Sequence, residues 1–225
     1  MSEPLGHLAE EVTRCRRCPR LVEWREKAAA DPPRRFEGQA YWARPLPGFG
    51  DPRARVVVVG LAPAAHGGNR TGRIFTGDRS GDWLYAALHR AGLASQASSE
   101  HRHDGLRLRG AYVTAVNRCP PPANRPTPTE RDNCLPYLVE ELRLLDRAKV
   151  LVALGSFAWD GTLRALRELA PQIPRPKPRF GHGAEAVVGG YALIGCYHPS
   201  QQNTFTGRLT EAMLDDVFAR ACQVA

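Results

Sequence analysis

The apolar positions of this chain fall into short unbroken runs separated by longer amphipathic stretches. Val56 to Val59 is the clearest run, four β-branched residues ending at Gly60. Such a run reads as a strand buried on both faces, placed here over Arg55–Val59. Ala111–Val116 and Val150–Leu154 repeat the pattern. Between the first two, Ser80 or Asp82 can cap a helix through Trp83, Leu84, Ala87 and Leu88 that stops at Gly92. A second helix is predicted from a capping box at Thr129 and Asp132 to about Arg147, with Pro136 in its first turns. A third covers 157–169, carrying Phe157, Leu163, Leu166 and Leu169. Ala186–Val188 and Ala192–Tyr197 read as a hairpin turned at Gly189-Gly190. The last helix runs Thr210–Cys222 with Leu214, Val217 and Phe218 on one face.

The remaining segments are less regular. Residues 6–17 predict a short helix that delivers Cys15 and Cys18, closed by Pro19. Residues 31–53 hold five prolines and four aromatics, too apolar for a linker, and predict an ordered cover over the domain. Residues 95–110 read as a polar surface excursion, and Pro171 to Pro178 as a stiff basic connector. Strands alternating with helices define an α/β fold: a three-layer sandwich with a central, mostly parallel, twisted sheet flanked by helices. At 225 residues one domain is expected, with the cysteine-bearing helix at its N-terminus.

Composition adds three points. No apolar run approaches the ~18 residues of a membrane span, and no signal-peptide core opens the chain, so a cytoplasmic protein without a membrane partner is expected. The net charge is +8, and Lys occurs only at positions 27, 149 and 177, so the surplus is arginine. Arginine suits phosphate and base stacking, which leaves open a nucleic-acid partner or simply a solvated basic surface. Six cysteines in such a chain do not predict a disulfide framework. Cys15-Arg-Arg-Cys18 is a C-x2-C, and fourteen residues separate Cys119 from Cys134. Four thiolates accept either [4Fe–4S] or tetrahedral zinc. Cys196 and Cys222 are expected in the core.

Three polar loops leave the carboxyl ends of the predicted strands, where open α/β sheets hold ligands. The first, Gly60 to Gly77, contains Ala62, Ala64, His66, Asn69, Arg70, Arg73 and Phe75, with Asp78 just beyond. It has neither the P-loop pattern nor the dinucleotide fingerprint. The second is Asn117-Arg118-Cys119 and the third is His198-Pro-Ser-Gln-Gln-Asn.

Gly60-Leu-Ala-Pro-Ala, Asn69-Arg-Thr-Gly-Arg-Ile-Phe-Thr-Gly77 and His198-Pro-Ser-Gln-Gln-Asn203 resemble the active-site motifs of uracil-DNA glycosylases. The four cysteines and the proline-rich 120s resemble the iron–sulfur branch of that superfamily. Ala62, where an acid is usual, is similar to family 5, the type-B enzymes, and Trp42 to Asp51 looks like that branch's N-terminal segment. The likeness spans roughly residues 12–210. It implies hydrolysis of the N-glycosidic bond of a deaminated base flipped out of double- or single-stranded DNA, by a monomer that leaves an abasic site. It also favours the [4Fe–4S] cluster on Cys15, Cys18, Cys119 and Cys134, in a structural role, over zinc.

Under that resemblance each residue acquires a role. His198 would donate to the departing base; losing such a donor typically costs ~3 kcal/mol of barrier. Asn117 would read the base edge, since one carboxamide matches the O4 and N3–H of uracil. Phe75 would stack on the base, with Ala64 and His66 beside it. Alanine at 62 cannot orient water, so Asn69, His66, Asp78 or the DNA phosphates would serve. Small residues at 62, 64 and 65 predict room for larger bases, hypoxanthine first. Arg70, Arg73, Arg79, Arg118, Arg125 and Arg208 would touch phosphates, with Asn203 on the same loop. Gln201, Gln202 or Leu209 would fill the gap left in the duplex. Two competing readings remain: a non-catalytic, metal-stapled nucleic-acid-binding module, and an enzyme for a small phosphorylated ligand.

Overall fold

The computed structural model describes residues 3–170 and 174–225. Pro171–Ile173, the start of the expected connector, lie outside the described residues. Six strands form one sheet: β1 (Phe49–Gly50), β2 (Val56–Gly60), β3 (Ala111–Ala115), β4 (Val150–Leu154), β5 (Glu185–Val188) and β6 (Tyr191–Cys196). Their order is β1-β3-β2-β4-β6-β5. The four inner strands are parallel, and the short outer strands β1 and β5 pair antiparallel. The alternating side chains of β2 explain the layers. Val56 and Val58 face one core and Val57 and Val59 the other, as a strand covered on both sides requires.

Helices α1 (Glu3–Arg14), α2 (Pro19–Ala30), α3 (Gly68–Thr71), α4 (Arg79–Arg90), α5 (Pro128–Leu144), α6 (Ser156–Leu169), α7 (Gln201–Phe205) and α8 (Glu211–Val224) complete the chain. On one face α4 contributes Leu84, Tyr85 and Leu88, and α8 contributes Leu214, Val217 and Phe218. On the other, α5 and α6 bury Leu138, Leu142, Trp159, Leu163 and Leu166, joined by Leu5 of α1. Each buried leucine of this kind stabilises by about 1.5–3 kcal/mol. The three-layer expectation holds.

Several local expectations are corrected. Pro19 does not end a helix; it occupies the first turn of α2, where its missing N–H costs nothing. Cys15 and Cys18 therefore lie between two helices. The capping box of α5 is Thr127 with Glu130, two residues before the expected pair: Glu130 N–H donates to Thr127 Oγ1 and Thr127 N–H to Glu130 Oε2. The cap of α4 is Asp78, whose Oδ1 accepts from Gly81 N–H at 3.0 Å. The proline-rich cover is pinned where expected, through Trp42 N–H to Arg70 O, Ala43 N–H to Asn69 O and Leu46 N–H to Arg118 O.

Candidate active site

Beyond the carboxyl ends of β2 and β6 lies a cavity of about 570 Å³. The loop after β2 supplies Leu61, Ala62, Pro63 and Ala64; Phe75 and Asp78 follow from the same loop, and His198 comes from the loop after β6. Gln201 and Gln202, on the first turn of α7, form the opposite lip. A second space of about 440 Å³, lined by Arg35, Phe36, His66 and Trp24, shares Ala64, Asp78, Arg79 and Asn124 with the first. The side chain at 64 is a single methyl group, so the boundary between the two spaces is thin there.

The Phe75 ring lies on Gly60: a Cβ added at Gly60 would stand 2.7 Å from its Cζ. The His198 ring is 5.7 Å from that of Phe75, tilted by 33°. Burial pulls the His198 imidazole down to about 4, so it is neutral at physiological pH and still carries one N–H to donate. Asn203 Nδ2–H donates to His198 O at 2.8 Å and fixes that loop. Asp78 moves the other way, raised by desolvation against the pull of the Gly81 N–H. An anion held there in a poorly screened site acts strongly on any cation that develops nearby.

Other candidates stand elsewhere. Asn69 is fully buried, its Nδ2 bonded to Arg25 O and Ala65 O, and it does not line the cavity. His66 faces the second space, with Nδ1 2.9 Å from Tyr41 Oη and its ring stacked on Phe36. Asn117 is also fully buried, donating to Glu130 O at 3.1 Å, while its Oδ1 has no partner. Buried acceptors without partners are rare, and this one stands at the end of β3.

Three sequence assignments do not survive. Arg73 is 4% exposed and bonded to Asp104 at 2.6 and 2.8 Å; Arg118 is 1% exposed and bidentate on Glu141 at 2.6 and 2.9 Å. Neither guanidinium can reach a phosphate, because a buried charge is held by its buried partner. Leu209 is wholly buried in the core shared by α4 and α8 and cannot enter a duplex. Arg70 spends its guanidinium on His66 O, Gly77 O and Gln39 Oε1. Arg79, Arg125 and Arg208 remain exposed, Arg79 on the cavity wall. Sequence reasoning missed Arg35, on the second space, and Phe205, which is 66% exposed on α7 with the Arg79 guanidinium 4.5 Å from its ring centre. A lone large aromatic within Gln-Gln-Asn-Thr-Phe-Thr-Gly was the available signal.

Cys15, Cys18, Cys119 and Cys134 line one closed space of about 10 Å³. Arg25 Nη1–H donates to Cys119 Sγ at 3.0 Å. Burial pushes the Cys119 thiol up to about 12 and Cys134 up to about 11, so both are protonated unless a Lewis acid displaces the proton. Among the described residues no three His, Cys, Asp or Glu side chains are gathered as a single-ion site. A four-sulfur set with no oxygen donor has the softness that iron–sulfur groups require.

Residues 47–221 match the family model of the uracil DNA glycosylase superfamily, and the chain belongs to that superfamily. Within it, the chain is 56% identical over 216 residues to the type-5 uracil-DNA glycosylase of Mycobacterium bovis, covering 95% of this chain and 79% of that one. It is 49% identical over 219 residues to the type-5 uracil-DNA glycosylase of Thermus thermophilus, covering 96% of each. The type-4 uracil-DNA glycosylase of Pyrobaculum aerophilum is 28% identical over 197 residues.

Proposed function

We propose that this chain is a DNA-repair glycosylase that hydrolyses the bond between uracil and deoxyribose and leaves an abasic site. The observation that carries the reading is the meeting of Ala62, Phe75, Asp78 and His198 in one cavity at the strand ends. The C1′–N1 bond breaks with its electrons moving onto the base, water adds its oxygen to C1′, and the proton that water loses ends on the departing base anion. Neutral His198 donates to the base oxygen where negative charge develops. Asp78 answers the positive sugar and orients the water, the role that Ala62 cannot fill. The cavity favours Asp78 for that role over Asn69, which is buried away from it, and His66, which is bonded to Tyr41. Phe75 stacks on the base, and the unpartnered Asn117 Oδ1 is the acceptor for the base N3–H.

Ala64 lets the base pocket open toward the second space, which supports excision of hypoxanthine as well as uracil. Arg79, Arg125, Arg208 and Arg35 hold phosphates. Exposed Phe205 fills the place of the flipped nucleotide, as apolar wedges do between base steps. Single strands serve too, since they need less unstacking. The four thiols hold a [4Fe–4S] cluster whose contribution is to brace the segment that ends β3 and begins at Asn117.

The test is incubation with oligonucleotides carrying uracil or hypoxanthine, followed by alkali. Scission at uracil is expected, with scission at hypoxanthine at higher enzyme. Tight binding without scission points instead to a non-catalytic nucleic-acid module, and uncut hypoxanthine duplex at enzyme excess ends the broader specificity. A brown preparation with the visible absorbance of thiolate-bound iron tests the cluster; a colourless anaerobic preparation counts against it.

A further inference from the structure

The backbone of Phe75 has φ of +52°, a left-handed conformation that a bulky side chain disfavours. Such outliers persist only where the surroundings over-determine them, and they gather at functional sites. The surroundings here are specific. Arg73, two residues before it, is bidentate on Asp104, sends Nε–H to Thr76 Oγ1 at 2.9 Å and Nη2–H to Ser99 Oγ at 2.9 Å. The Thr76 and Ser99 hydroxyls are 2.7 Å apart, and Gly77 N–H donates to Ser99 O. Tyr85 Oη–H donates to Ile74 O at 2.9 Å. Both neighbours of Phe75 are thus tied down, Ile74 by Tyr85 of α4 and Thr76 by Arg73 and by Ser99 of the 95–110 segment that the sequence presents as a surface excursion.

Asp104 is itself fixed. Burial works to raise its carboxyl, but Arg73 and the backbone N–H groups of Leu106 and Glu100 outweigh that and hold it well below the usual carboxylate range. On the opposite side the first turn of α4 presses on Phe75: a Cβ at Gly81 would fall 1.9 Å from the Phe75 carbonyl oxygen. A pair serving stability alone could stand anywhere in the core. This one also sends Nε–H to the hydroxyl of Thr76, next to the strained residue, and Nη2–H to Ser99, which is bonded to Thr76 in turn.

We propose that the Arg73–Asp104 pair, with Ser99, is a positioning device that holds the Phe75 ring in the plane where it stacks on the base. Asp104 touches no substrate; it acts through Arg73 and Thr76. This rests on the glycosylase reading and deepens it, so the experiment carries a control for each. Asp104→Asn is expected to lower kcat on uracil duplex at least about tenfold, since small displacements of a positioning group cost that much or more. Inhibition by free uracil should weaken in parallel while affinity for abasic duplex stays unchanged, a split that general destabilisation would not give. Asp104→Glu should recover part of both. Wild-type kcat in Asp104→Asn, or an equal loss of abasic-DNA affinity, overturns the proposal. Where Asp104→Asn fails to fold, Ser99→Ala is read in the same way. Phe75→Ala separates the two layers: if it loses kcat while Asp104→Asn does not, the brace alone falls; if it loses nothing, the stacking role falls and the brace with it.

Discussion

The cavity at the strand ends and the pocket of four cysteines share no lining residue, and their walls differ in kind. The first holds about 570 Å³ and mixes small apolar side chains with a carboxylate, an imidazole and exposed glutamines. The second holds about 10 Å³ and is lined by thiols, Leu21, Val22 and the stems of arginines. The first has room for a small molecule; the second leaves little empty volume between its side chains. In the first, Asp78 also caps α4; in the second, Cys119 Sγ accepts from Arg25 and Cys18 Sγ from Asn133. Function and stability should therefore separate cleanly when each is mutated.

The largest effect expected is in the cavity. His198→Ala should lower kcat by about 100- to 1,000-fold, the usual loss of a donor aimed at developing charge, with little change in melting temperature. Asp78→Asn should do likewise while keeping α4 intact, because asparagine caps as well as aspartate; a matching drop in helix stability by thermal denaturation would break the contrast. Next comes the buried pair beside the thiol space. Arg118→Leu leaves Glu141 buried without its partner and should cost about 3–5 kcal/mol by denaturant unfolding. Cys119→Ser should cost several kcal/mol if thiolate–iron bonds contribute to folding, and should lower activity only in proportion to the folded fraction.

The smallest effect concerns pH. His198 titrates near 4 when folded, against about 6.5 unfolded. The unfolded chain therefore binds the extra proton first, and stability falls as pH drops from about 6.5 towards 4. His198→Gln should flatten that slope in a pH series of unfolding curves. Activity should also fall on the acid side as Asp78 takes its proton, and the raised Asp78 places that limb above the ordinary aspartate value.

The sheet was legible because the inner strands are short, mostly buried runs dominated by apolar residues, a pattern few alternatives produce. Helix α2 was not, because Pro19 reads equally as the end of one helix or the first turn of another. The α5 cap was displaced because Thr127/Glu130 and Thr129/Asp132 have the same spacing; Pro128 at the first helical position decides between them. For the site, Ala62, Phe75, Asp78 and His198 were all named from sequence and do meet. Arg73 and Arg118 were misplaced for one reason. Their partners lie 31 and 23 residues away, and nothing local records that a distant carboxylate claims them. Phe205 escaped notice because a lone aromatic in a polar loop reads as readily as core, and only its exposure sets it apart.

Asn117, Arg118 and Cys119 are consecutive, and each goes to a different place: Glu130 O, the Glu141 carboxylate, and the thiol space. Individual side chains here could drift over evolutionary time if a partner changed with them. A one-residue insertion could not be absorbed, since it would rotate all three out of their sockets together. Length variation among related chains should therefore collect in the 174–184 segment and the Gly189-Gly190 turn, and the stretch from β3 to Cys119 should align without gaps.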